Sequence, residues 1–347
     1  MAIIDPKLNE EATSLYEANL SSMWIDEEAD ALISGREEIS SSFLRHQGKI
    51  DLALEECGFE TESLGPIKLD ASSFEDDSSY CFFLSLPSFK QGALSYGKQA
   101  YLPGEIFVCA DEIEDEDYPL GRPPLGYFIK EVPYPILRKG GIPWMSVIPH
   151  EKATMAKAID ESKGKVLCLG CGMGYFAYCA SSKEEVTSIT IVDNDPALLA
   201  FFSSHILPRF PHKQKITLVE EDAFSYLERQ EKGGYDFLFA DLWHNADDGL
   251  SLYRRLLDYE DRAKSASYWI EDGLLCYFRR FLITAIYEDI LISQGEDIAY
   301  DESIEEDALL LAIQRTFAKP IASSEELKEV ISLEKVKERL RAIPLWR

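Results

Sequence analysis

Basic residues are scarce in this chain: 35 Lys and Arg face 62 Asp and Glu, for a formal net charge of −27. Such a surface repels phosphate backbones and anionic bilayers, so neither nucleic acid nor membrane is an expected partner. Long apolar runs are missing too. The most apolar helix candidate, 274–292, contains Arg279, Arg280, Glu288 and Asp289, and does not read as a membrane span. The opening Met-Ala-Ile-Ile-Asp-Pro-Lys has neither the basic end nor the apolar stretch of a signal peptide. A cytoplasmic location with reduced thiols is therefore expected. Cysteine occurs seven times, without a repeating spacing. Cys168-Leu-Gly-Cys171 is formally a C-x-x-C, yet no second pair follows at zinc-ribbon spacing, and His46, His205 and His212 have no companions at ligand spacing. No metal site is expected.

What is present is ample material for a core. The apolar fraction is 46%, and 347 residues suit two domains better than one. Residues 6–60 read as helical: Pro6 suits a helix start, and Leu15, Leu20, Met23, Trp24, Ala31 and Leu32 recur at near-helical spacing. From 61 to 150 ten prolines exclude long helices, and short β-prone runs appear at 105–110, 125–132 and 144–148. Arg138-Lys-Gly-Gly141 has the composition of a hairpin turn.

After Glu151 the pattern alternates strictly. Helices are expected at 151–161, 174–182, 196–206 and 223–230, and strands at 165–169, 187–192, 215–219 and 236–240. Short apolar strands separated by helices at this spacing mean a parallel sheet covered on both faces. Beyond 249 the chain reads as helical, with one strand at 267–270 and helices near 274–292, 304–317, 323–332 and 334–342. The expected fold is α/β: a Rossmann-like, doubly wound, mostly parallel sheet. An N-terminal α+β domain would span 1–150. The sheet domain would span 151–347, with a helical extension from about 250.

The chemistry concentrates where these strands end. Val166-Leu-Cys-Leu-Gly-Cys-Gly-Met-Gly174 breaks an apolar strand into three alternate glycines before a helix resumes at Tyr175. Glycines there permit a tight turn whose free N–H groups face a ligand at a helix start. Asp193, Asp222 and Asp241 fall at the carboxyl ends of the next three strands, and in an open α/β sheet those ends share one crevice. Asp193 lies 19 residues after Gly174, the right distance for a carboxylate that accepts both ribose hydroxyls. A dinucleotide fingerprint would need a small residue at position 175, where this chain has tyrosine.

Gly-x-Gly-x-Gly followed by such an acid resembles the class I S-adenosylmethionine-dependent methyltransferases, and the resemblance covers roughly 164–249. It implies that Gly170, Cys171, Gly172 and Gly174 cradle the donor, S-adenosylmethionine. It further implies that Asp193, with Asn194, holds the ribose, that Asp222 and Ala223 lie beside the adenine, and that Asp241 faces donor and acceptor. Cys168 stands where the family usually has an acid that helps anchor the loop. Within the class, Val192-Asp-Asn-Asp-Pro196, the segment 221–227, Tyr235-Asp236 and the β-rich stretch before the glycines resemble the spermidine-synthase-like branch. That branch usually carries Gly-Gly-Gly-Asp and an Asp-x-x-Asp amine clamp. Here the loop is Gly-Cys-Gly-Met-Gly, and the acids after Asp241 are Asp247 and Asp248. These departures favour methyl transfer to a small-molecule acceptor, with aminopropyl transfer as the alternative and a non-catalytic donor-binding scaffold as a third reading. Asp241 and His244 are the expected catalytic pair, because His244 has the pKa class of a base near neutrality. Trp243 would either wall the acceptor or pack its loop, and Asp247 or Asp248 would cap the helix that follows. Assembly into a homo-oligomer stays open.

Overall fold

The computed structural model describes residues 2–21 and 67–344, apart from 112, 116 and 117. The remainder of the helical run expected to residue 60 lies outside the described residues. Residues 9–21 form the helix α1. Its N-terminal approach is not local: Ile4 pairs with Ile321, Asp5 N–H donates to Ile321 O at 2.9 Å, and Ile321 N–H donates to Ile3 O at 2.8 Å.

A short helix, α2 (Ser78–Ser85), leads into a four-stranded antiparallel sheet of β1 (Phe89–Gln91), β2 (Leu94–Tyr101), β3 (Val132–Lys139) and β4 (Ile142–Ser146), paired in that order. β3 carries Pro133 and Pro135, which argue against a strand in sequence. Both lie outside the register with β4, which begins at Ile136, and on that side Pro135 offers its carbonyl to Val147 N–H at 3.2 Å. The turn at 138–141 joins β3 to β4 as its composition predicts. A smaller sheet of Ile67–Lys68, Leu125–Tyr127 and Ile106–Val108 and a ribbon of Ile113–Asp115 with Tyr118–Arg122 complete this half.

Helix α3 (Pro149–Glu161) then opens the alternating part. β5 (Gly164–Leu169), α4 (Tyr175–Ser181), β6 (Val186–Asp193), α5 (Pro196–Phe201), β7 (Ile216–Glu220), α6 (Ala223–Glu228), β8 (Phe237–Ala240), α7 (Ala246–Leu257) and β9 (Ala266–Tyr268) follow. The sheet order is β7-β6-β5-β8-β9 and every pairing is parallel. The direction of strand order reverses beside β5, which makes the gap between β5 and β8 the topological switch point of a doubly wound sheet. The register is flush at the carboxyl ends: Leu169 stands opposite both Val192 and Ala240, and Asp193 opposite Glu220. The residue after each strand therefore emerges at one level. Val166, Leu167, Leu169, Ile189, Ile191, Val192 and all of β8 are buried, the condition of strands with helices on both faces.

The helices of the C-terminal part are α8 (Glu271–Ser293), α9 (Glu305–Gln314), α10 (Ser324–Ile331) and α11 (Leu333–Ala342). On α8 the spacing sets Leu274, Phe278, Phe281 and Ala285 on one stripe with Leu275, Leu282, Ile286 and Ile290 beside it; all are buried except Phe281, which is half-buried. Residues 2–21 pack on this helix: Tyr16 stacks on Tyr287 at 3.9 Å, and Ile3 N–H donates to Asp289 Oδ2 at 2.6 Å. The expected strand at 267–270 ends earlier, because Ile270 turns into the left-handed region (φ 46°) and starts α8. A β-branched residue there is strained by about 1–3 kcal/mol.

Candidate functional site

The loop after β5 is built around glycine. Gly170, Gly172 and Gly174 have φ of 95°, 52° and 78°, the left-handed region that disfavours any side chain. Space alone would enforce the first and last. A Cβ on Gly170 would stand 2.0 Å from the Asp241 carbonyl oxygen, and one on Gly174 would stand 2.4 Å from the Phe202 ring. The loop is tied down by Asp193, whose Oδ2 accepts from Cys171 N–H at 2.8 Å while Oδ1 accepts from Asp195 N–H at 2.8 Å. Asp193 thus supplies an anchor for the loop, and Cys168 only donates from Sγ to Gly170 O at 3.2 Å. Burial lifts the Asp193 carboxyl above its ordinary range in spite of those two N–H groups.

The loop, the strand ends and the β3–β4 hairpin enclose a cavity of about 630 Å³, within the range of small-molecule sites. Every residue expected to hold the donor lines it: Gly170, Cys171, Gly172, Gly174, Asp193, Asn194, Asp222, Ala223 and Asp241. Asp222 also caps α6, its carboxylate accepting from Ser225 N–H at 2.9 Å. Asp195 caps α5 through Ala197 and Leu198 N–H and binds Lys139 Nζ at 2.7 Å. Lys139 in turn lies 4.7 Å from the Trp144 ring centroid, so one ammonium joins the hairpin to the start of α5. Met145 of the same hairpin faces Gly172.

Asp241 and Glu151 occupy the other end. Asp241 N–H donates to Leu169 O at 2.8 Å, which fixes the residue beside the glycine loop. Its carboxylate has no hydrogen-bond partner among the described residues; burial, then the Asp193 charge, push its pKa up to about 7. Glu151, in the first turn of α3, is likewise unpartnered, and burial followed by the Asp241 charge pushes it up to about 8. Both side chains keep some accessible surface toward the cavity, while protein on the other sides strips them of bulk water. His150 beside Glu151 is lowered to about 4 by burial alone. Sequence reasoning takes the segment 144–151 either as one that folds over the donor's methionine end or as a strand and cap, and does not single out Glu151, because an acid in a first helical turn complements the dipole there. Only the tertiary fold shows that it points at Asp241's cavity.

The loop after β8 divides its residues. Trp243 is buried, 5% exposed, and packs on α7, where a Cβ on Gly249 would meet its ring at 2.7 Å. It lines the cavity as well. Its Nε1–H is buried without a partner among the described residues. His244 is exposed at the cavity's edge. Its Nδ1 lies 2.9 Å from Asp248 Oδ2, and its ring meets Trp144 edge-on at 4.6 Å. The cap of α7 is Asn245, which accepts from the Asp247 and Asp248 N–H groups, with Asp248 closing a capping box. Asp247 is instead the acceptor of the Tyr277 hydroxyl at 2.8 Å.

No protein-family model matches the chain, and no curated relative matches it. Solved structures of similar fold include spermidine synthase from Thermotoga maritima, with 13% identity and a TM-score of 0.32 over 58% of this chain. This chain spans 63% of that enzyme's length. A probable spermidine synthase from Corynebacterium glutamicum has 12% identity and a TM-score of 0.33, covering 68% of this chain and 88% of that one. A putative S-adenosylmethionine-dependent methyltransferase from Streptococcus mutans has 18% identity and a TM-score of 0.29, over 48% of this chain and 44% of that one. Likenesses this distant carry no weight on the reaction, which has to be argued from the site.

Proposed function

We propose that this protein binds S-adenosylmethionine in the cavity at the ends of β5, β6 and β8 and transfers its methyl group to a small-molecule acceptor. The observation that carries this reading is the glycine loop held by Asp193 at the switch point, where Gly170, Gly172 and Gly174 take left-handed backbone angles and line the cavity. The donor set fits. Asp193 retains lone pairs for ribose hydroxyls beyond the two N–H groups it accepts, and Asp222, Ala223 and Phe224 form one wall for an adenine ring. Asp241 would face the methionine portion. When bound, the donor supplies a methyl carbon on a sulfonium, already activated for displacement. The chain's own task is then to hold the acceptor in line and keep water away, which is a matter of positioning. Calorimetry with S-adenosylmethionine and S-adenosylhomocysteine tests the reading. Heats of binding with a dissociation constant below millimolar are expected, and their absence in folded protein overturns it.

One observation favours aminopropyl transfer as a second reading. Among the described residues that line the cavity, the basic ones are Lys139 and His244, and each already faces a carboxylate. A donor carboxylate would find no free cation there, whereas a decarboxylated donor needs none. The first reading predicts no aminopropylated product when decarboxylated donor and a panel of polyamines are supplied. Accumulation of that product makes the second reading the correct one.

A further inference from the structure

We propose that the end of the cavity beyond Asp241 takes a neutral aromatic acceptor carrying a hydroxyl group, and that Gly249 sets the depth of that end. This rests on the methyl-transfer reading above and names an acceptor class for it.

The sheet order separates the two ends of the cavity. β6 and β7, whose ends carry Asp193 and Asp222, lie on one side of β5, and β8 and β9 lie on the other. Trp269 follows β9, and its N–H donates to Ala240 O at 2.9 Å, which seats it beside the end of β8. Its ring is fixed from α3. Nε1–H donates to Thr154 Oγ1 at 2.9 Å, that hydroxyl donates to His150 O at 2.9 Å, and the His150 ring meets the indole edge-on at 6.0 Å. Met155, the residue after Thr154, lines the cavity next to this anchor.

Trp243 and Leu252 supply the wall on the α7 side. Gly249 explains where Trp243 stands. It lies inside α7, where glycine is less favourable than alanine and no turn calls for it. A Cβ there would stand 2.7 Å from Trp243 Cγ and 2.9 Å from Cδ1, so the indole occupies the room a side chain would need. One turn on, Leu252 faces the cavity. The missing side chain thus lets the tryptophan sink against the helix and leaves the cavity deeper by that much.

The walls offer two kinds of contact. Trp243, Trp269, Met155 and Leu252 give apolar and π surface, which suits a flat ring. The polar groups give both halves of a hydrogen bond. The Trp243 Nε1–H has no partner among the described residues, and the Asp241 and Glu151 carboxylates accept none there. A hydroxyl answers both kinds, because it donates through its hydrogen and accepts through its oxygen. An anionic group is disfavoured, since the lining bases Lys139 and His244 each face a carboxylate already.

Protein saturated with S-adenosylhomocysteine is titrated at pH 7 with phenol, cyclohexanol, benzoate and cyclohexylamine, by calorimetry. Phenol should bind roughly three- to tenfold tighter than cyclohexanol, the ratio an aromatic contact supplies, and benzoate should not bind. Trp269→Leu should erase the advantage of phenol over cyclohexanol, whereas a merely structural tryptophan would move both alike. Gly249→Ala should weaken phenol about tenfold or more and leave the nucleoside affinity unchanged, because the added methyl drives the Trp243 ring toward the cavity. Leu252→Trp fills the same end without that strain and should show the same split, which keeps the test open if Gly249→Ala does not fold. Equal binding of phenol and cyclohexanol, or a preference for cyclohexylamine, overturns the acceptor class while the donor reading stands. Unchanged phenol binding in folded Gly249→Ala and Leu252→Trp overturns the part given to this end. Failure of the nucleoside to bind overturns the donor reading, and the same series run without it still decides whether this end prefers an aromatic ring.

Discussion

At the scale of single residues, replacing Asp193 by alanine removes two functions together: the acceptor of the Cys171 N–H and a carboxylate open to the cavity. Donor-product affinity should fall by about 1.5–3 kcal/mol, the range for a hydrogen bond to a charged group, as read by calorimetry. Asp193→Asn keeps an oxygen for Cys171 and should recover part of that loss. The two residues after Asp241 and Leu242 should separate cleanly. Trp243→Ala empties a buried site and should cost roughly 3–5 kcal/mol of stability in urea titration. His244→Ala breaks an exposed contact with Asp248 and should leave both stability and donor binding nearly unchanged. Loss of donor binding in a folded His244→Ala protein would put this loop on the donor side of the site. Glu151 also has a consequence for pH. Its folded pKa is raised to about 8, so the native protein holds a proton that the unfolded chain has released. That contribution is fully present below the ordinary glutamate value of about 4.5 and is lost as pH rises through about 8. Glu151→Gln cannot titrate, and its melting temperature should fall less steeply than wild type between about pH 5 and about pH 8 in a calorimetric series.

At the scale of elements, the β3–β4 hairpin is held over the glycine loop by the Lys139 bridge to Asp195 and by Met145 against Gly172. The ion pair is partly solvated and contributes about 1 kcal/mol at most. Lys139→Ala should leave global stability nearly intact yet speed amide exchange over residues 140–146, a local change that mass spectrometry can resolve. The elements behind this arrangement differ in how far sequence reveals them. The alternation after residue 151 is legible, because the strands β5 to β8 are short apolar runs closed by glycine or acid and the helices α5, α6 and α7 open on the caps Asp195, Asp222 and Asn245. Expected and observed bounds there differ by a few residues at most, as for 196–206 against Pro196–Phe201, which continues as a π-turn. β3 is harder to read: its prolines speak against a strand, and they are tolerated where the register with β4 has ended and Pro135 only accepts, from Val147 N–H. The site divides in the same way. Gly170, Asp193, Asp222 and Asp241 are legible because strand ends converge by topology, whereas Glu151 reaches the cavity through the packing of α3 against the sheet, which no local spacing encodes.

At the scale of the whole molecule, residues 2–21 belong spatially with the helices at the other end of the chain. Ile4 is laddered to Ile321, Tyr16 is stacked on Tyr287, and Ser324 Oγ donates to Glu11 at 2.7 Å. Removing residues 1–21 should uncover the face of α8 that carries Tyr287 and lower the melting temperature by several degrees, by scanning calorimetry, while the donor cavity, lined from residue 139 onward, keeps its ligand affinity. A truncated protein that melts like the full chain would show that this contact adds little. The same ladder bears on how the polypeptide is made. Ile3, Ile4, Leu8, Ala12, Leu15 and Ala18 leave the ribosome long before Ile321, and all are buried in the finished protein. Ile321, to which Ile3 and Asp5 bond, follows only after on the order of tens of seconds of elongation. During that interval this apolar segment has no native berth. Arrested nascent chains lacking the last helices should therefore be cleaved by protease near residue 20, and should recruit a chaperone there until synthesis is complete.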